Sequence, residues 1–98
     1  MARFSMTPGD YHAFESVTVA GTAIELTDAT KLNATFATIT VETAQIRFTL
    51  DGTTPTATVG HLLNPGDILT LDSAEQITQA QFIRVGATSG TIKVSYGN

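Results

Sequence analysis

The sequence predicts an all-β protein, an antiparallel β-sandwich of jelly-roll-like character behind an extended N-terminal arm. Three observations predict it. Apolar and polar residues alternate over short runs, as in Ile46, Phe48 and Leu50 against Gln45, Arg47 and Thr49, which is the two-residue period of a strand. Threonine occurs 18 times in 98 residues, and β-branched side chains pack well on a pleated surface. Gly, Pro, Asn and Asp interrupt the chain roughly every 8–12 residues, the spacing of a sandwich or small barrel. Connections that short favour antiparallel neighbours, because parallel ones need crossovers of about a dozen residues or more.

Met1 to Tyr11 keeps neither a helical nor a strand period and contains the turn signal Pro8-Gly9-Asp10. This segment reads as an arm that carries Phe4 and Met6 toward a neighbouring subunit, with residues 12–98 as the single sandwich domain. Ser16 to Ala20 and Ala23 to Thr27 form two strands, with Val17, Val19, Ile24 and Leu26 inward, joined as a short hairpin near Ala20-Gly21-Thr22. Residues 27–33 read as a loop with room for one helical turn capped by Asp28. Thr35 to Glu42 places Ala37, Ile39 and Val41 on one face, and Ala44 to Leu50 is the clearest strand of the chain. Asp51-Gly52 then favours a tight turn, and Pro55 interrupts any ladder within Thr53-Thr54-Pro55-Thr56. Ala57 to Leu63 and Ile68 to Asp72 flank Asn64-Pro65-Gly66-Asp67, which has the Pro and Gly positions of a type II turn. Ser73 to Ala80 tolerates a helix as readily as a loop. Gln81 to Val85 and Thr91 to Tyr96 are the last strands, joined by Gly86 to Gly90 as a hairpin, with Ile92, Val94 and Tyr96 in phase.

Composition removes most reactive chemistry. There is no cysteine, which excludes disulfides, thiol nucleophiles and thiolate metal sites. The five Lys and Arg (Arg3, Lys31, Arg47, Arg84, Lys93) are scattered against nine Asp and Glu, for a formal charge of −4. No basic cluster exists to neutralise phosphates, so nucleic acid and anionic membranes are not expected partners. Apolar runs reach two or three residues, far below the roughly 20 of a membrane-spanning helix. The start Met-Ala-Arg-Phe-Ser-Met-Thr-Pro-Gly lacks a signal peptide's apolar stretch, which points to synthesis in the cytosol.

His12 and His61 stand outside any HxH or HExxH pattern, and GxSxG, GxGxxG and GxxxxGK[ST] are absent. Asp51, Asp67 and Asp72 sit beside turns without a DxDxDG run, and turn chemistry accounts for the first two. A sandwich of this size has little chain left to build a substrate cleft around two carboxylates. The expectation is therefore a non-enzyme with no cofactor and no metal. Charged residues make up 14% of the chain, against about 25% in an average domain. Outward strand positions carry Thr, Gln and Ser, with Arg47 and Lys93 the charges among them. A flat, neutral, hydrogen-bonding face suits packing against other protein.

From Ile46 onward the chain resembles small structural proteins of tailed bacteriophages. The residues that carry this are Ile46 to Ala57, Gly60-His61-Leu62-Leu63, Pro65-Gly66-Asp67, Gln81-Phe82-Ile83-Arg84 and Gly90 to Tyr96. The resemblance implies a short all-β virion subunit, most often a capsid decoration or cement protein. Such a protein forms homo-oligomers, trimers foremost, on the major capsid protein; a tail or head–tail connector subunit is the alternative position. Over fewer residues, Phe48 to Thr56 resembles a stretch of the immunoglobulin-like accessory domains of chitobiases, which implies a carbohydrate-binding module. Such modules present an exposed aromatic platform, and this chain has no Trp. The residues expected to touch partners are Phe4 and Met6 of the arm and Thr53, Thr54, Pro55 and Thr56 of the central loop.

Overall fold

The computed structural model describes residues 11–27 and 33–98. They form β1 (Tyr11–Val19), β2 (Ile24–Glu25), β3 (Phe36–Glu42), β4 (Ile46–Thr49), β5 (His61–Leu63), β6 (Ile68–Leu71), α1 (Ala74–Gln79), β7 (Gln81–Arg84) and β8 (Gly90–Gly97). Two four-stranded antiparallel sheets result, ordered β1-β8-β3-β6 and β2-β7-β4-β5. The chain is an antiparallel β-sandwich. Its strands pair outermost with outermost: β1 with β8, β2 with β7, β3 with β6 and β4 with β5. The backbone thus runs as one long hairpin, turned at residues 50–60 and rolled over itself.

That arrangement corrects the two expected short hairpins. Residues 20–23 and 85–89 each carry the chain from one sheet to the other, so neither β1 and β2 nor β7 and β8 are ladder partners. The turn chemistry is compatible with either outcome. What decides is burial: Val19 on β1 and Leu26, directly after β2, both lie in the core, β1 and β2 belong to opposite layers, and a corner between sheets lets each side bury its apolar face. The Arg84 amide donates to the Ala20 carbonyl at 3.0 Å and ties the first corner down.

Strand boundaries also move, and of the strand expected over Ala23 to Thr27 only Ile24–Glu25 pairs. Strand β1 begins at Tyr11, so this residue, expected at the end of the arm, is part of the sheet. The rest of the arm, with Phe4 and Met6, and the helical turn expected at Asp28 lie outside the described residues. Of the strand expected over Ala57 to Leu63, His61–Leu63 remains, because Thr56 turns the chain back through hydrogen bonds to Thr58 and Val59. Ser73 to Ala80 resolves as a helix, with the Ser73 hydroxyl accepting from the Gln76 amide as its cap.

The core follows the alternation read from the sequence. Ala37, Ile39 and Val41 of β3 and Ile92, Val94 and Tyr96 of β8 face Ile46 and Phe48 of β4 and Phe82 of β7, all buried. Phe48 and Phe82 bring their rings to 6.4 Å. At Gly90 the layers touch so closely that a Cβ would stand 2.7 Å from Ile46 Cγ2. The turn at Asn64–Asp67 forms as expected, with the Asp67 amide bonded to the Asn64 carbonyl at 2.9 Å and Gly66 at φ 94°.

Candidate protein-contact surfaces

The outer face of the β1-β8-β3-β6 sheet is built by the residues out of phase with the core. The register sets them in rows: Tyr11, Gly97 and Phe36; Phe14, Ser95, Thr38 and Thr70; Ser16, Lys93, Thr40 and Ile68; Thr18, Thr91 and Glu42. In the first row the glycine leaves a gap over which the Tyr11 and Phe36 rings meet edge to face at 5.1 Å. The Tyr11 hydroxyl also reaches Thr38 Oγ1 at 2.9 Å. Lys93 Nζ donates to Ser16 Oγ at 3.0 Å. Besides the partly exposed Tyr11, two large apolar side chains of this face project furthest into water, Phe14 at 62% and Ile68 at 57% exposure.

The inner side of β1 carries a carboxylate. Glu15 lies opposite Val94 in the ladder and accepts the Tyr96 hydroxyl proton and, at 3.2 Å, the Thr27 amide. Burial, and then the carboxylate as hydrogen-bond acceptor, push the Tyr96 phenol well above its ordinary 10.0.

The central loop, residues 50–60, folds back over the other sheet. Arg47 lies on that sheet's outer face and donates through Nε to the Ala57 carbonyl at 2.8 Å and through Nη1 to Gly60 at 2.9 Å. Thr49 Oγ1 donates to the Thr53 carbonyl, and Gln81 Nε2 to Gly52 at 3.3 Å. The Thr53 amide donates to Asp51 Oδ1 at 3.1 Å, and hydrogen bonds from the Thr53 side chain and amide hold the Asp51 carboxyl below its ordinary 3.8. Of the four loop residues expected at a contact, Thr53, Thr54 and Thr56 are exposed. Pro55 is fully buried, so it anchors the loop from below and offers no side-chain area to a partner.

His12 is exposed on β1, where the register shifts between Tyr11 and Ala13. His61 stands with its ring 5.3 Å from Phe48. Among the described residues no group of three or more His, Cys, Asp and Glu comes together to hold a metal, and no helix is long and apolar enough to cross a membrane. Phe14 and Ile68 are the exposed residues of the β1-β8-β3-β6 face that sequence reasoning passed over. The signal was present: Phe14 is out of phase with Val17 and Val19, and Ile68 with Leu69 and Leu71.

No family model, curated protein or solved structure matches this chain.

Proposed function

We propose that this chain is a non-enzymatic structural subunit of a bacteriophage virion, a capsid decoration or cement protein that self-associates and bridges neighbouring major capsid subunits. The observation that carries the reading is the outer face of the β1-β8-β3-β6 sheet, rows of Thr and Ser in which Phe14 and Ile68 stand exposed. A sheet face whose charges are Lys93 and Glu42 and whose apolar anchors project gains from contact with other protein, because little charge has to be desolvated. We read the rolled-hairpin strand order as a jelly roll, an architecture that viral capsid and lectin domains use.

In this role the subunit works mechanically. Several weak contacts made at once by an oligomer raise the effective concentration of each, so a shell is clamped without any single tight site. The loop threonines Thr53, Thr54 and Thr56 and the arm residues Phe4 and Met6 supply further contacts in the proposal. Light scattering on the purified chain from low micromolar to near-millimolar concentration tests it, together with sedimentation alongside capsids assembled from a major capsid protein, should one be encoded beside it. A stable oligomer that sediments with the shells is the expected result; a monomer that never associates with them overturns it. Neighbouring tail genes in place of a capsid gene would move the subunit to the tail.

A further inference from the structure

Among the described residues, the outer edge of β1 is the longest unpaired sheet edge. Among the described residues β1 pairs with β8 alone, and it runs for nine residues, whereas the other edge strands β6, β5 and β2 have four, three and two. A long edge presents a row of backbone donors and acceptors to any strand that can lie beside it, and proteins that stay monomeric blunt such edges with Lys, Pro or a bulge along the strand. Strand β1 contains no Lys, Arg or Pro; its one charged residue, Glu15, turns inward and is hydrogen-bonded by the Tyr96 hydroxyl and the Thr27 amide, and the register shift is confined to the first three residues, leaving Ala13 to Val19 as a regular ladder.

We propose that β1 pairs antiparallel with β1 of a second copy about a two-fold axis at Ser16, joining the two outer sheets into one of eight strands. The inference rests on the reading of the chain as a self-associating subunit and names the surface through which it does so. The register follows from phase and charge. Core-side residues must oppose core-side residues, so the axis falls on a residue and not between two. An axis at Phe14 draws the irregular residues around His12 into the ladder, and one at Glu15 sets two carboxylates face to face, which is destabilising. An axis at Ser16 uses the whole regular stretch: Ala13 opposes Val19, Phe14 opposes Thr18, Glu15 opposes Val17, and Ser16 meets its own copy. Phe14 then packs along one side against Thr18 of the neighbouring strand, and no like charges are directly opposed. Such an isologous contact closes on itself and gives a dimer or an even-numbered assembly of dimers, not the trimer that the bacteriophage resemblance implies.

The absence of native cysteine makes the register directly testable. Ser16→Cys, treated with oxidised glutathione, should form a covalent dimer, because residues directly opposite in an antiparallel pair lie within disulfide reach. Phe14→Cys should not, since its own copy lies four residues along the strand, about 13 Å away. Ile68→Cys, equally exposed on the far edge of the same sheet, should not either. Phe14→Lys, at a solvent-exposed position that leaves the fold intact, should weaken association about tenfold or more. A trimer, association indifferent to Phe14→Lys, or cross-linking at Ile68 as fast as at Ser16 overturns edge pairing and leaves the assembly reading standing. A chain that stays monomeric at every concentration, with shells present or absent, overturns both.

Discussion

At the scale of the residue, backbone conformation and one buried hydroxyl set the sharpest expectations. Gly60 has φ 123°, and a Cβ there would stand 2.9 Å from the Phe48 carbonyl oxygen. Gly66 has φ 94° and open space around it. Both pay for a side chain in backbone strain, but Gly60 also meets fixed backbone. Gly60→Ala should cost about 2–3 kcal/mol and Gly66→Ala about 1 kcal/mol in urea unfolding; equal losses would show that the close approach at Phe48 is immaterial. The Tyr96 hydroxyl leads to a dependence on pH. Its ionisation is held above the unfolded value of 10.0 by burial and by Glu15, so the folded state keeps a proton that the unfolded state releases. That stability is fully present below pH 10 and is lost as pH rises through the folded value. Denaturation midpoints of the native chain should fall more steeply above pH 10 than those of Tyr96→Phe, which has no proton to lose at this position. Parallel slopes for the two proteins would count against the assignment.

At the scale of the element, helix α1 shows how far local chemistry reaches. Its cap is legible in Ser73-Ala74-Glu75-Gln76: the Ser73 hydroxyl accepts from the Gln76 amide at 3.1 Å, and Gln76 Oε1 returns to the Asp72 amide at 2.9 Å. This is a capping box displaced by one residue. Six residues are too few to hold a helix alone, and burial of Ile77 and Ala80 beside β3 supplies the rest, which is why Ser73 to Ala80 read equally as loop. Ser73→Ala should cost about 1 kcal/mol by thermal unfolding, while Ser73→Asp, which keeps an acceptor, should cost little. Strand interiors were likewise legible, because Ile39, Val41, Ile92 and Val94 alternate cleanly with Thr38, Thr40, Lys93 and Ser95. The corners were not. Ala20-Gly21-Thr22 and Gly86 to Gly90 have the composition of hairpin turns, and only the placement of β2 and β7 in the second layer turns them into crossings. The contact surface was half legible: the neutrality of the face follows from strand phase, but the prominence of Phe14 depends on β1 lying at an edge, a property of the whole sheet.

At the scale of the molecule, the pairing of first strand with last governs how the chain must fold. β4 and β5 are joined by 11 residues, 50–60, whereas β1 and β8 enclose nearly the entire domain. Closing a longer loop costs more entropy before any contact rewards it, so the order of formation should run outward from the β4–β5 turn, with β1 docking last. A topology so dominated by distant pairings should refold in milliseconds to seconds, not microseconds. Two buried residues separate the ends of this sequence: Leu63, opposite Ile46 beside the central loop, and Val19, opposite Gly90 at the outermost pair. Truncation to alanine should destabilise by roughly 1–4 kcal/mol at either position, but the loss should appear differently in denaturant chevrons. Leu63→Ala should slow folding, because its contact is already made in the transition state, and Val19→Ala should chiefly speed unfolding. The reverse assignment would mean that the outer sheet, with β1 in place, nucleates the fold. β1 would then be among the last strands to detach, and its free edge would stay presented to a second copy even in partly unfolded chains.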